Sequence, residues 1–342
     1  MPAETITTTL PSIVTLDHCP LCSNSNFSVL FDAKDIMFDL PGTFSIVKCD
    51  TCGFMFTNPR PTSTDLGMYY PAEYGPYHKK IEQKNKKRTQ ALRKQGLRRF
   101  FNKYLSTFKN YGYWVPELPR DSIVLDLGCS NGDFLAGLAS RGWQLHGVEL
   151  AEEPANYARM VHGLEVVHGT IEDATFPDCY FDAVFAFMLV EHLEDPVSTL
   201  HEVNRVLVDE GYLVFSIPNA SSWQFNVFRS NWRPLEIPRH MSHFTPKSVS
   251  SLLQTTGFSL EQIIFQRSIS DVFITIGYWM RNRKIMPKFS EILIDFPKRR
   301  GRITRAILLP IEWLEAILGH SSRMTVIARK RYQPDDTKCS QQ

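Results

Sequence analysis

Long apolar runs are missing. No stretch reaches the roughly 18 uninterrupted apolar residues of a membrane-spanning helix. Charge of one sign is missing too. A net charge of +2 over 342 residues gives nucleic acid no global attraction, and no specific nucleic-acid binding is expected. Met1 to Leu10 is Thr-rich, with no basic segment leading an apolar core, so no secretory signal is read there. Cysteine is sparse: of seven, four fall in two close pairs. That usage argues against a disulfide framework and predicts reduced thiols, a metal and a cytoplasmic location. A protein bound to the inner face of a membrane would look the same.

What is present is organised around Ile123 to Leu135, IVLDLGCSNGDFL. Ile123, Val124, Leu125 and Leu127 suit a strand buried on both faces of a parallel sheet. Gly128 lets the chain turn sharply, and Gly132 is expected to let it approach a ligand closely. The helix that follows points its first N–H groups at that ligand. The pattern D-x-G-x-x-x-G is not G-x-G-x-x-G, and no Lys-Ser or Lys-Thr follows it, so a phosphate-gripping loop is the weaker reading. Trp143 to Leu150 reads as a second strand, ending in Glu149, whose carboxylate suits both hydrogens of a ribose diol.

Cys19-Pro-Leu-Cys22 and Cys49-Asp-Thr-Cys52 form two C-x-x-C knuckles. Two such pairs complete a tetrahedral thiolate shell with no open position, the arrangement of a structural zinc (Zn2+). A segment this short has too little core to be stable alone, and a metal would supply folding free energy. Four buried cysteines without metal are the alternative. Phe54 to Pro61 reads as a ribbon strand ending at prolines, and Tyr69, Tyr70 and Tyr74 follow. From Lys79 to Lys109 the chain is basic with an amphipathic helical pattern. A solvated face, an anion site and attachment to an anionic membrane compete as readings of it.

The strand-turn-helix at Asp126 resembles the first motif of class I S-adenosylmethionine (SAM) methyltransferases. Phe176-Pro177-Asp178-x-x-Phe181-Asp182 and Glu191-His192-Leu193-Glu194-Asp195-Pro196 are similar to two further segments of that family, and Pro238-Arg239-His240 through Thr245 to its P-x-H loop. With the ribbon and the N-P-R-P exit at Asn58 to Pro61, the chain resembles bacterial zinc-ribbon methyltransferases associated with sugars and surface polysaccharides. The resemblance implies an α/β fold: a Rossmann-like seven-stranded sheet, a small N-terminal zinc-ribbon module, and a helical insertion before the last strand. The expected divisions are a module at 1–70, a basic connector at 71–118, a methyltransferase domain at 119–331 with the insertion at about 271–321, and a polar tail at 332–342.

By the same resemblance SAM is the cofactor. Asp126, Gly128, Cys129 and Gly132 hold its amino-acid end, Glu149 and Leu150 its ribose side, and Thr170, Ile171, Glu172 and Phe187 complete the set. Glu172 or Asp173 would accept from the adenine amine. His240 is the candidate base, since its ordinary pKa lies near neutrality, with His243 second. Both could instead cap or pack. His192 acts as a base or orients its loop. Met188 stands where some quinone O-methyltransferases carry an extra acid, so a metal there is not expected. The acceptor is read as a small molecule, a nucleotide- or lipid-linked sugar, with a quinone or other lipid as alternative. A non-catalytic zinc- and SAM-binding protein is the third reading. Peripheral membrane contact through 79–109 and 271–321, a homodimer through 271–321, or a cover over the acceptor site are the readings of the basic and apolar segments.

Overall fold

The computed structural model describes residues 11–71, 74, 113–296 and 302–332. The basic segment 79–109 lies outside them, as does the tail beyond Tyr332. The N-terminal part contains β1 (Ile13–Val14), β2 (Phe27–Ala33), β3 (Phe44–Cys49), β4 (Met55–Thr57), β5 (Arg60–Pro61) and α1 (Ser63–Leu66). The cofactor half follows: β6 (Ile123–Leu127), α2 (Asp133–Leu138), β7 (Gln144–Glu149), α3 (Glu152–His162), β8 (Glu165–His168), β9 (Phe181–Phe187), α4 (Pro196–Val206) and β10 (Leu207–Pro218). Then come α5 (Trp223–Phe228), β11 (Ser242–His243), α6 (Pro246–Thr255), β12 (Phe258–Phe265), α7 (Ile269–Asn282), α8 (Pro287–Ile294), α9 (Arg302–Ile317) and β13 (Arg323–Lys330).

The large sheet has the order β12-β13-β10-β9-β6-β7-β8. Five neighbouring strands run parallel, and β13 is antiparallel to both β10 and β12. This is the seven-stranded, mostly parallel sheet expected. Val124 and Leu125 in β6, and Ala183 to Ala186 in β9, are buried, as central strands covered on both faces require. The helices start where local chemistry dictates. The Asp195 carboxylate accepts from the N–H groups of Val197 and Ser198, with Pro196 opening α4. Thr245 and Ser248 form a reciprocal cap on α6. The piece between β12 and β13 is helical, as expected, and Asp271 in α7 anchors it: its carboxylate accepts from Ser322 Oγ at 2.8 Å and Arg323 Nε at 2.9 Å.

The small sheet has the order β11-β4-β3-β2, so it takes one strand from far along the chain. Ser242 pairs with Phe56 and His243 with Met55. Phe54 packs on Phe244 with ring centroids 5.3 Å apart, and one hydrophobic cluster runs from Cys19 and Phe56 through Phe244 to Phe215 and Val326. The strongest tie is a buried ion pair. Arg239 donates to both oxygens of Asp35, at 2.8 and 3.0 Å, and to the Tyr69 carbonyl at 3.0 Å. Burial works against the guanidinium charge, but Asp35 outweighs it and holds the Arg239 pKa above its ordinary value.

Removing one partner of a buried pair strands the other charge. Asp35→Ala should lower the unfolding free energy by about 3–5 kcal/mol in urea titrations. Joint replacement by Asp35→Leu and Arg239→Met should recover most of that. A loss no larger than a surface pair gives, about 1 kcal/mol, would show that the contact does not hold the two parts together.

Candidate active site

The parallel strands bring their C-terminal ends to one edge. After β6, Gly128 takes φ +74° and its N–H, with that of Cys129, donates to the Val148 carbonyl at 2.8 and 3.0 Å. The turn thus folds over the end of β7. A Cβ at Gly128 would come within 3.1 Å of Leu189 on the loop opposite. Asp126 and Glu149 are both buried there. Glu149 accepts from the N–H groups of Ser130 and Ala151, each at 2.8 Å. Burial, with the nearby Glu149 charge, pushes the Asp126 carboxyl well above the ordinary carboxylate range. Two buried acids side by side fit a ligand that brings positive charge and hydroxyl donors. Both are features of SAM.

Several expected contacts turn out to be structural. Gly132 takes φ +73°, but its absent side chain makes room for protein: a Cβ would lie 2.6 Å from Leu164 and 2.9 Å from Ala158. The Cys129 thiol is buried against Gly147, so only its backbone faces the edge. The Ile171 side chain lies in the main core, leaving only its backbone for an adenine. Asp173 is occupied by Thr170, whose N–H and hydroxyl donate to it at 2.9 and 3.0 Å. Glu172 is exposed and accepts from Thr199 on α4 at 3.5 Å. Leu150 is exposed beside Glu149, free to meet a ligand ring. Phe187 sits edge-on to Tyr113 and Phe134, at 4.8 and 5.0 Å.

Across the edge lies a second group. β9 ends at Phe187, and Met188 at φ +55° turns the chain into a tight helical turn, Val190–His192. The loop after β10 closes on it, with Met241 N–H donating to the Glu191 carbonyl at 2.8 Å. His192 and His240 meet with ring centroids 4.5 Å apart, nearly perpendicular. His240 Nδ1 lies 2.9 Å from the Pro234 carbonyl. A carbonyl only accepts, so Nδ1 carries the proton and Nε2 keeps its lone pair. Nε2 is 3.9 Å from Glu236. Burial, then the neighbouring His192, keeps the His240 pKa well below its ordinary value, so the ring is neutral. Burial likewise holds the half-buried His192 down at about 4.

The N-terminal part packs over this histidine cluster. The Tyr70 hydroxyl lies 3.1 Å from His192 Nδ1, the Tyr74 hydroxyl donates to Glu236 at 3.5 Å, and Arg60 donates to the Glu194 carbonyl at 3.1 Å. Glu236 and Asp35 were not legible in the sequence as site residues. Burial would raise the Glu236 pKa, but the Arg233 and Arg239 guanidinium charges hold it well below the carboxylate range. Glu191 is fully buried, neither carboxylate oxygen has a hydrogen-bond partner among the described residues, and burial pushes it up to about 8. Glu191, His192 and His240 bring one ligand atom each within 4.8 Å of one another. His243 is not in this cluster. It is buried within the small sheet, in β11, with Nε2 3.1 Å from the Thr57 hydroxyl, which removes it as a candidate base.

The four knuckle cysteines converge. Cys19 Sγ lies 3.7 Å from Cys52 Sγ and Cys22 Sγ 3.6 Å from Cys49 Sγ, with all four sulfurs within 4.8 Å. The two turns are built alike: Ser23 N–H donates to Cys19 O and Gly53 N–H to Cys49 O, both at 2.9 Å.

A family model for the methyltransferase domain matches residues 91–263, half of the chain. The chain belongs to this methyltransferase family. It carries a class I SAM-dependent methyltransferase domain. This methyltransferase is 31% identical over 146 residues to a protein of Mycolicibacterium smegmatis described as a probable SAM-dependent methyltransferase, covering 41% of this chain and 53% of that one. It is 30% identical over 128 residues to the ubiquinone biosynthesis O-methyltransferase of Yersinia enterocolitica, covering 35% and 52%. The chain thus spans about half the length of these curated relatives. A solved SAM-dependent methyltransferase from Methanosarcina mazei aligns with a TM-score of 0.42 at 18% identity, over 63% of this chain and 95% of that one.

The buried histidines set a stability limit at low pH. Burial holds His243 at about 3, so the unfolded chain binds the extra proton from the ordinary histidine pKa of about 6.5 downward. Stability from this residue is complete above about pH 6.5 and falls by about 1.4 kcal/mol per pH unit below it, down to the folded pKa. Between pH 7 and 5, wild type should lose about 2 kcal/mol more than His243→Gln in urea titrations. Parallel losses in the two would remove the assignment.

Proposed function

We propose that this methyltransferase methylates a hydroxyl of a small polyhydroxylated acceptor, a nucleotide- or lipid-linked sugar of surface-glycan assembly. The observation that carries this is the buried polar cluster at His240. Glu191, Glu236, His192, His240, Tyr70 and Tyr74 meet there, and a site built to hydrogen-bond hydroxyls rejects a ligand that lacks them. An O-methyltransferase acting on a quinone or other lipid is the second reading. It is favoured by the relatives named ubiquinone biosynthesis O-methyltransferase.

Asp126 and the Gly128 turn receive the amino-acid end of SAM, and Glu149 takes the ribose diol. Thr170 and Phe187 flank the adenine, with Leu150 against it. When bound, SAM supplies a methyl group activated on a sulfonium. His240 Nε2 accepts the acceptor's hydroxyl proton, Glu236 stabilises the imidazolium so formed, and Pro234 fixes the ring's orientation. His192, held at the Arg239 carbonyl 3.1 Å away, packs the base in place. Much of the remaining acceleration comes from alignment of acceptor and donor.

The module at 1–70 holds a structural zinc in Cys19, Cys22, Cys49 and Cys52. Zinc–sulfur bonds of about 2.3 Å put tetrahedral sulfurs roughly 3.8 Å apart, close to the separations found. Burial, with the Cys22 and Cys49 contacts, pushes the Cys52 thiol up to about 11, while backbone hydrogen bonds outweigh burial at Cys49 and bring it down to about 7, so ionising all four calls for a cation. The ion then serves the reaction from a distance, by stiffening the strands that pack over the histidine cluster.

Assay with labelled SAM against panels of nucleotide-linked sugars and of quinone precursors, read by mass spectrometry, tests the acceptor. Methylated sugar is expected, and turnover confined to the quinone panel would overturn the reading. On the sugar, His240→Ala should lower kcat about 100- to 10,000-fold. Because the ring is already neutral, the wild-type rate should show no limb near pH 6.5. Unchanged turnover in the variant would remove His240 from the mechanism. Purified protein should carry about one zinc per chain. Stripping it with a chelator should lower the melting temperature by several degrees and activity with it, whereas a metal-free protein of full stability would leave the cysteines as packing only.

A further inference from the structure

Helix α9 is built inside out for a helix facing water. From Ala306 to Leu318 its only charged residues are Glu312 and Glu315. Both turn inward. Glu312 is 5% exposed, and Glu315 accepts from the Trp223 indole at 2.8 Å. The outward stripe is Ile307 at 68% exposure, Ile311, Leu314 at 58%, Ile317 at 69% and Leu318. A water-facing helix shows the reverse arrangement. The turn between α7 and α8 presents the same chemistry: Arg283, Lys284 and Lys288 are exposed beside Ile285, Met286 at 63%, and Phe289.

The charge of this insertion narrows the choice of partner. Residues 269–318 carry nine Lys and Arg against five Asp and Glu, a net charge of +4 where the whole chain carries +2. The insertion is therefore basic in a chain that is nearly neutral overall, as segment 79–109 also is. A second copy docked by a two-fold axis would set these patches against themselves, like charge near like charge. A bilayer with anionic headgroups answers both features, taking apolar side chains at the acyl boundary and cations at headgroup level. Among the described residues, no helix is long and apolar enough to cross a membrane, which leaves attachment in the plane of the surface.

We infer that the outward face of α9, with the α7–α8 turn, docks this methyltransferase on an anionic bilayer surface. Flotation of the full chain with vesicles of phosphatidylglycerol and phosphatidylcholine in equal parts reads the association. Wild type should rise with these vesicles, stay behind with phosphatidylcholine alone, and be released by raised salt. Ile311→Asp with Leu314→Asp should weaken the association by about tenfold or more, as should Lys284→Glu with Lys288→Glu. All four side chains are exposed, so the variants should melt as wild type does. Three results would overturn the inference. Wild type could stay behind with every lipid. The aspartate variant could float as well as wild type. Sedimentation velocity could find a dimer that the aspartates dissolve, with no vesicle binding by either protein.

Discussion

The Arg239 to Asp35 ion pair is the constraint on which the acceptor side depends. It has no solvent to lean on, so each charge needs the other, and the geometry is bidentate. Arg239 sits next to His240 in the chain, and its carbonyl lies 3.1 Å from His192 Nδ1. Asp35 sits between β2 and β3 of the small sheet. One contact therefore fixes both the position of the clustered histidines and the seat of the module that packs over them. The pairing of β4 with β11, and Phe54 on Phe244, continue the same junction in backbone and in core.

This junction changes what the N-terminal part is for. A small metal-supported module can be an appendage that binds something else. Here Tyr70 and Tyr74 reach His192 and Glu236, and Arg60 reaches the loop at Glu194. The strand tips of the large sheet carry Asp126 and Glu149, and the N-terminal part packs on the histidine cluster across from them. The family model matches residues 91–263 and leaves the N-terminal part outside.

Much of the donor side was legible in the sequence, because a buried parallel strand writes its apolar run directly into the residues. Asp126, Gly128 and Glu149 stand at the strand tips where their spacing put them. Gly132 was half legible. The glycine announces a positive φ, but not which way its missing side chain points, and that direction leads to Ala158 and Leu164. Ile171 was misjudged for a related reason: the turn after β8 decides which side chain faces the ligand, and here Ile171 is rotated into the core. His243 lost its role to pairing with β4, and Asp35 never suggested one. Their partners lie 186 and 204 residues away, and no local pattern marks a contact at that range. The resemblance marked the insertion, but only burial revealed that the acids of α9 face inward.

The pairing of Thr57 and Met241, whose backbones join at 2.9 Å, carries a consequence for synthesis. A growing chain completes its cysteine knuckles and strands β6 to β10 before the segment at 237–243 emerges. Until then β4 has no β11 to pair with, so the N-terminal part is seated only late in synthesis.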